Sequence, residues 1–110
     1  MNHQMKNKII LFYVPCDLKK TAQNLAKKAL HENLAACAQI FPVQSLYLWD
    51  NKVNDTSEYV LILKTLKSKV KPLKKLLESI HPYETPAILT TVMDVNKAYY
   101  QWMMESLENE

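Results

Sequence analysis

The chain has 110 residues, 48% of them hydrophobic, and a formal net charge of +3, which suits one domain with its own apolar core. It contains no glycine, and all 14 of its basic residues are lysines. These two absences exclude the glycine-rich phosphate loops and remove the planar guanidinium that reads phosphates and guanine, so no nucleic-acid partner is expected.

The first third of the chain predicts a buried strand followed by a helix. Residues 8–14 form a continuous apolar, β-prone run, which is typical of a strand covered on both faces. A proline ends the run, and Asp17 is the predicted cap of the helix that follows. Apolar residues then recur at helical spacing up to Leu30, and Asn33 is the predicted left-handed residue beyond the helix end.

The middle of the chain predicts a long hairpin. Residues 34–50 are long for one strand, and Pro42 interrupts them, so we expect an edge strand with a bend. Asp50 and Asn51 tolerate the left-handed backbone of a tight turn. The return strand ends with residues 58–65, and arms of this length often reach beyond their own domain to pair with a neighbour.

The last third predicts a second helix, a fourth strand and a terminal helix. Ser68 is the predicted cap of the second helix, Pro72 lies near its first turn, and Pro82 stops it. Residues 87–93 form the fourth strand, and Asn96 caps the terminal helix.

The order of these elements predicts a single α+β domain over residues 1–110, with residues 1–7 as a loosely ordered N-terminus. The β-α-β-β-α-β order followed by a C-terminal helix is the ferredoxin-like arrangement, with a four-stranded antiparallel sheet and two helices on one of its faces. The other sheet face needs cover from another subunit or from the terminal helix.

The cysteine content indicates a reducing compartment. Two cysteines, Cys16 and Cys37, are too few for a small secreted domain that depends on disulfides. No segment approaches the length of a membrane span, and the short apolar run near the start is wrongly flanked for a signal peptide. We therefore expect a cytoplasmic protein with free thiols and no membrane insertion.

The segment from His81 to Pro86 is the most unusual stretch of the chain. Two prolines bracket a rigid loop that presents an imidazole, a phenol and a carboxylate together. His81 suits a metal ligand, or it caps the helix end and bonds a carbonyl. Glu84 is a second candidate ligand, or it pairs with Lys64. Cys16, beside a helix start that would lower its pKa, is a third candidate ligand or an ordinary thiol.

Four motifs resemble those of the CutA family of divalent-cation tolerance proteins. They are Leu34-Ala35-Ala36-Cys37, Ser45-Leu46-Tyr47-Leu48-Trp49, Ile62-Leu63-Lys64-Thr65 and the loop at residues 81–86. The resemblance runs from about residue 9 to residue 107. It implies a compact homotrimer with inward-facing sheets and exchanged hairpins, architectural kinship to trimeric PII-type signal proteins, and a role linked to copper tolerance.

The chain also departs from that family's pattern. Asn51 stands where a turn glycine is usual. Some bacterial members have a cysteine and a histidine pair proposed as copper ligands, and here Val14 and Ile80 occupy two of those positions, so that only His81 is matched.

Three functional hypotheses follow from the residues and the resemblance. The first is a metal-responsive binding protein that takes a copper or other divalent ion, with no other cofactor, through His81, Cys16 and Glu84. The second is a PII-like regulator that takes a small anionic effector in a cleft between subunits, lined by Trp49, Lys64, Tyr83 and Glu84. The third is a scaffold that holds a partner protein. The sequence shows no catalytic constellation, so an enzyme is not expected.

Overall fold

The computed structural model describes residues 7–108, which contain four strands and three α-helices. In chain order these are β1 (Lys8–Cys16), α1 (Lys19–His31), β2 (Cys37–Trp49), β3 (Lys52–Thr65), α2 (Val70–Ile80), β4 (Leu89–Asp94) and α3 (Lys97–Glu108). Most of the predicted loose N-terminus, residues 1–6, lies outside the described residues. Its last residue, Asn7, accepts a hydrogen bond on its carbonyl from the Val95 N–H at 2.9 Å.

The sheet has the strand order β2-β3-β1-β4, and each neighbouring pair is antiparallel. This confirms the predicted ferredoxin-like α+β architecture. β1 lies between β3 and β4, which explains its uninterrupted apolar run. Pro42 lies on β2, opposite Tyr59, and β2 is an edge strand. An edge strand tolerates proline because it has a neighbour on one side only, so the N–H that proline lacks is not needed there.

One face of the sheet packs against α1 and α2 and forms the main core. Alternate residues of β1 point to this face, among them the fully buried Phe12, Val14 and Cys16. They meet Leu25 of α1 and Leu73 of α2, both of which are also buried. No helix within residues 7–108 is long and apolar enough to cross a membrane.

The opposite sheet face is only partly covered. α3 packs over one end of it, where Ile9 and Leu66 meet Met103 and Leu107. The rest remains open, including the cross-strand row formed by Leu89, Tyr13 and Ile62. Exposed fractions on this face reach 55% for Leu89, 44% for Met93 and 40% for Phe41.

Two predicted helix caps are wrong. The N-cap of α1 is Leu18, and the carboxylate of Asp17 instead accepts the Leu18 N–H at 2.8 Å, one residue too early to cap the helix. Ser68 lies in a short 3-10 turn (Lys67–Lys69) that precedes α2, and its hydroxyl donates to Glu108 at 3.0 Å. This tertiary hydrogen bond to α3 takes the hydroxyl away from the backbone of α2.

β1 continues past its predicted end. Pro15 pairs with Val60, and the strand ends at Cys16. The pairing of β1 with β4 stops at Tyr13, so Pro15 lies where one side of the strand has no neighbour. A proline is compatible with such a position because its missing N–H interrupts no ladder. The fourth strand also begins later than predicted, at Leu89.

The hairpin turn is the predicted Asp50-Asn51 pair, with φ values of 56° and 62°. Trp49 and Lys52 close the turn as a cross-strand pair, so two residues make the whole connection. Two successive left-handed residues match the right-handed twist of the strands they join. Asn33 has the predicted left-handed conformation at the end of α1, with a φ of 58°.

The turn yields a test that separates the backbone preference at Asn51 from the contribution of its side chain. Asn51→Ala should lower the free energy of unfolding by about 1 kcal/mol, because a Cβ without a local hydrogen bond disfavours positive φ. Asn51→Gly should leave stability near the wild-type value, as should the exposed control Lys52→Ala. Urea denaturation at one protein concentration measures all three. Equal destabilisation by alanine and glycine would assign the effect to the asparagine side chain instead.

Candidate ligand-binding site

A cavity of about 380 Å³ opens where the end of β1, the β2–β3 hairpin and the loop after α2 meet. Its walls include three aromatic side chains and two carboxylates, together with the proline of β1: Tyr47, Trp49, Tyr83, Glu58, Glu84 and Pro15. It lies on the sheet face opposite the main core, because Pro15 alternates with the core-facing Val14 and Cys16.

The hairpin contributes three side chains to the cavity wall, because alternate residues of a strand lie on the same face. Tyr47 and Trp49 are two residues apart on β2, so both side chains leave the same face. Glu58 of β3 pairs with Val43, which has the same parity as these aromatics and therefore shares their face. Exposed fractions of 43% for Tyr47 and 61% for Trp49 show that one wall of the cavity is open to solvent.

A short hydrogen bond ties the loop after α2 to the hairpin. The Tyr83 hydroxyl donates to Glu58 Oε2 at 2.5 Å. Burial raises the pKa of Tyr83 well above its usual range, and the hydrogen bond to Glu58 and the charges of Glu58 and Asp17 raise this pKa further. The phenol therefore stays protonated at neutral pH and remains a donor to the carboxylate.

His81 lies behind the cavity and positions Tyr83. The imidazole is 7% exposed, and its Nδ1 accepts the Tyr83 N–H at 3.1 Å. Since that nitrogen is an acceptor, Nε2 carries the proton and donates to the Pro15 carbonyl at 2.9 Å. His81 is also the C-terminal cap residue of α2. The ring thus joins the end of α2 to the end of β1, which matches the capping alternative for this residue.

Cys16 lies in the main core, on the other side of the sheet from the cavity. Its thiol is fully buried and donates to the Val14 carbonyl at 3.6 Å. Burial raises the pKa of Cys16 to about 12, and the charges of Asp17 and Glu58 add to the effect. This is the opposite of the lowered pKa that a helix start would cause. Both cysteines, Cys16 and Cys37, are free thiols.

The three predicted metal ligands do not form a ligand set. Cys16 is protonated in the core, both ring nitrogens of His81 are hydrogen-bonded, and only Glu84 reaches the cavity as an exposed side chain. Residues 7–108 contain no group of three or more His, Cys, Asp or Glu side chains arranged to hold a metal ion. The donor atoms present here therefore do not fit a bound metal.

The predicted cleft is assembled in part. Trp49, Tyr83 and Glu84 line the one cavity, whereas Lys64 lies elsewhere in the same subunit. Lys64 follows Glu58 by six residues, roughly 20 Å along β3. Its ammonium lies 5.5 Å from the centre of the Tyr99 ring on α3. The predicted Lys64–Glu84 ion pair is therefore absent from this chain, although both residues lie in its described part.

Glu58 is a site residue that was not predicted from the sequence. It occurs at the start of the apolar run in β3, two residues before the fully buried Val60. A carboxylate next to a buried run, on a strand expected to be covered, was an available signal. Its partner could not be found in the sequence, because Tyr83 follows 25 residues later in a loop.

Comparisons with known proteins identify relatives across nearly the whole chain. The sequence model of the family described as CutA1 divalent ion tolerance protein matches residues 10–106. A protein named Divalent-cation tolerance protein CutA from Escherichia coli is 44% identical over 89 residues, covering 79% of this chain and 80% of that protein. The chain spans 66% of the length of Protein CutA homolog from Danio rerio, with 32% identity over 99 residues, 88% of this chain.

Solved structures show the same fold. The structure of the periplasmic divalent cation tolerance protein CutA from Archaeoglobus fulgidus superimposes with a TM-score of 0.87 at 28% identity. The match covers 90% of this chain and 98% of that one. The fold and the sequence motifs therefore point to one family.

The buried thiol predicts a specific dependence of stability on pH. The pKa of Cys16 is raised from 9.0 to about 12 on folding. Its contribution to stability is therefore complete below pH 9 and is lost as the pH rises from about 9 to 12, by up to about 1.4 kcal/mol per pH unit. Cys16→Ala lacks this titration, so its stability deficit relative to wild type should shrink between pH 8 and pH 10.5.

The matched control is Val14→Ala, which truncates a neighbouring core side chain without removing a titratable group. Its deficit should stay constant over the same pH range, and tyrosine titrations cancel because each protein contains them. Denaturant unfolding at several pH values measures the three proteins. A constant deficit for Cys16→Ala would show that the thiol pKa is not raised.

Proposed function

Because the chain belongs to the CutA1 divalent ion tolerance family, we propose that it is a homotrimeric binding protein whose small ligand enters the cavity beside Tyr83. The observation that carries the proposal is the Glu58–Tyr83 hydrogen bond. It holds a carboxylate and an aromatic ring in the walls of a cavity of about 380 Å³. That volume falls in the range of small-molecule sites. We propose binding without catalysis, and the family is named for tolerance and not for a reaction.

The open sheet face supports the trimer. Tyr13 and Ile62 are half-buried in its centre, and exposed Phe41, Leu89 and Met93 extend the apolar surface toward both edges. Single exposed apolar side chains are ordinary, but a continuous apolar sheet face is costly to leave in water. A second and a third copy of the same face would cover it in a closed assembly.

The hairpin gives independent support. The molecule measures 49 × 31 × 21 Å, and the hairpin strands have 13 and 14 residues. Near the turn, exposed fractions are 62% for Leu46, 78% for Leu48 and 71% for Val53. Such an arm has no core of its own to cover these side chains. We propose that it packs on a neighbouring subunit, which would also close the open wall of the cavity near Trp49.

The metal hypothesis receives less support than the small-ligand hypothesis. The Escherichia coli and Archaeoglobus relatives carry the name divalent-cation tolerance protein, so an ion belongs among the candidate ligands. His81, the matched histidine, would have to break its bond to Pro15 or to Tyr83 to coordinate a metal. Breaking either of these hydrogen bonds would release the loop that shapes the cavity. We therefore propose that His81 supports the site and does not bind the ligand.

The two free thiols support a reducing compartment, and we propose the cytoplasm. Cys16 is shielded in the core, and Cys37 is half-buried at the start of β2. The Archaeoglobus relative, in contrast, is described as periplasmic. Fractionation of cells carrying the tagged chain distinguishes the two locations.

The proposed trimer predicts the effect of a charge placed in the sheet centre. Wild type should have three times the 12.8 kDa chain mass by light scattering on a sizing column. Ile62→Lys should shift the protein to the monomer mass, because burying an unpaired ammonium at the interface is strongly unfavourable. Leu30→Lys, at an exposed residue of α1 on the helix side, should remain trimeric. A wild-type monomer at micromolar concentration contradicts the proposal.

The role of His81 is tested by copper calorimetry at pH 7.5. Besides His81 the sequence contains two histidines, His3 and His31, which are replaced by alanine in every protein compared. In this background His81→Ala should leave the copper affinity unchanged while the trimer mass is kept, because both ring nitrogens already have partners. A loss of affinity of about tenfold or more would contradict this expectation and favour the metal hypothesis.

A further inference from the structure

The charge around the cavity is negative. Two carboxylates, Glu58 and Glu84, are in its walls, and no lysine or histidine of the described residues is. Lys64, the lysine that the sequence placed here, neighbours Tyr99 instead. Asp17 follows β1 at the same end of the sheet. The walls within one subunit therefore favour a cation over an anion.

Two groups at this end of the sheet, one in the cavity wall and one in the core, respond to this negative field. The pKa of Cys16 and the pKa of Tyr83 are both raised, first by burial. In both cases the charges of Glu58 and Asp17 raise the pKa further, because a nearby negative charge disfavours a second one. The thiol lies on one side of the sheet and the phenol on the other, so the field extends through this end of the sheet.

The aromatic walls select among cations. Tyr47, Trp49 and Tyr83 surround the space with three rings. The faces of such rings attract an ammonium group, and the attraction is stronger where the site is partly desolvated. A bare metal ion gains little from carbon walls, and residues 7–108 contain no group of three His, Cys, Asp or Glu side chains to hold one. Aromatic walls with two carboxylates instead suit a cation that carries its own carbon atoms.

Glu58 is arranged to accept from such a cation. Its Oε2 already accepts the Tyr83 hydroxyl proton, which holds the carboxylate in one orientation. Its Oε1 has no hydrogen bond to any residue between 7 and 108, so it can accept an N–H from a ligand. An ammonium N–H to a carboxylate is a charge-assisted bond, roughly twice as strong as a neutral one. Half-burial of Glu58 limits competition from water.

We propose that the cavity binds a small organic ammonium ion, with its charge at Glu58 and its carbon chain against Tyr47 and Trp49. This inference rests on the proposed function, and it names the ligand class for that site. A volume of about 380 Å³ accommodates such a molecule, whereas it far exceeds the needs of a single metal ion.

Three probes with one carbon skeleton separate charge from shape. Butylammonium, butanol and butyrate have the same four-carbon chain and carry a positive charge, no charge and a negative charge. Each is titrated at pH 7.5 into the ¹⁵N-labelled full-length protein, and the shift of the Trp49 indole N–H is followed by NMR. Trp49→Phe distinguishes this signal from that of Trp102. Butylammonium should bind at least about tenfold more tightly than butanol, and butyrate should not bind.

The key variant is Glu58→Gln, which removes the charge but keeps an oxygen that can accept from Tyr83. It should weaken butylammonium binding about tenfold and leave the weak affinity for butanol unchanged. The matched control is Asp55→Asn, on the same strand and outside the cavity, where the carboxylate bonds the side chain of Gln44. Asp55→Asn should bind butylammonium as the wild type does. Light scattering confirms that each variant retains the wild-type mass.

Each outcome decides a different claim. Butyrate binding at least as tightly as butylammonium overturns the ammonium inference and leaves the cavity as a ligand site for an anion. No shift with any probe at millimolar concentration overturns both the inference and the proposed site. Equal butylammonium affinity in wild type and Glu58→Gln would show that the ammonium group does not bind this carboxylate, which also overturns the inference.

Discussion

The position of β1 inside the sheet is the constraint on which the other elements depend. On one face Phe12 and Val14 meet α1 and α2, and on the other Ile9 meets α3. β3 and β4 pair on its two sides and complete its backbone hydrogen bonds. The end of β1 then brings Pro15 to the cavity, where its carbonyl accepts from His81. The strand that forms the core thus also holds the loop of the site in place, through this hydrogen bond.

A chain of polar contacts connects that core to the cavity walls. Pro15 accepts from the His81 ring, which accepts from the Tyr83 backbone, and the Tyr83 hydroxyl donates to Glu58. These contacts fix a loop without secondary structure against two strands. The rings of His81 and Tyr83 also lie with their centres 4.7 Å apart. A histidine that suits metal ligation by residue type therefore serves here as a buried connector, since its two nitrogens are used within the fold.

The mild net charge conceals a separation of charge that bears on ligand choice. Most of the lysines lie in α1, in α2 and in the turn between β3 and α2, on the helix side of the sheet. The carboxylates Glu58 and Glu84 border the cavity on the other side. A small excess of positive charge over the whole chain thus coexists with a negative site. Composition alone favoured an anionic effector as readily as a cation, and the distribution of charge in space favours the cation.

The sequence by itself determined the strand and helix order, the two-residue turn at Asp50 and Asn51, and the family, because these depend on local periodicity, backbone preference and contiguous motifs. It also identified Trp49, Tyr83 and Glu84 as residues of one cleft. Only the tertiary structure decided that Glu58 joins them and that Lys64 does not. Contacts between residues distant in the chain depend on strand register, and β3 has Glu58 in its middle and Lys64 six residues later at its end. Burial likewise decided the state of Cys16, because the pKa of a thiol depends on which side of the sheet it faces.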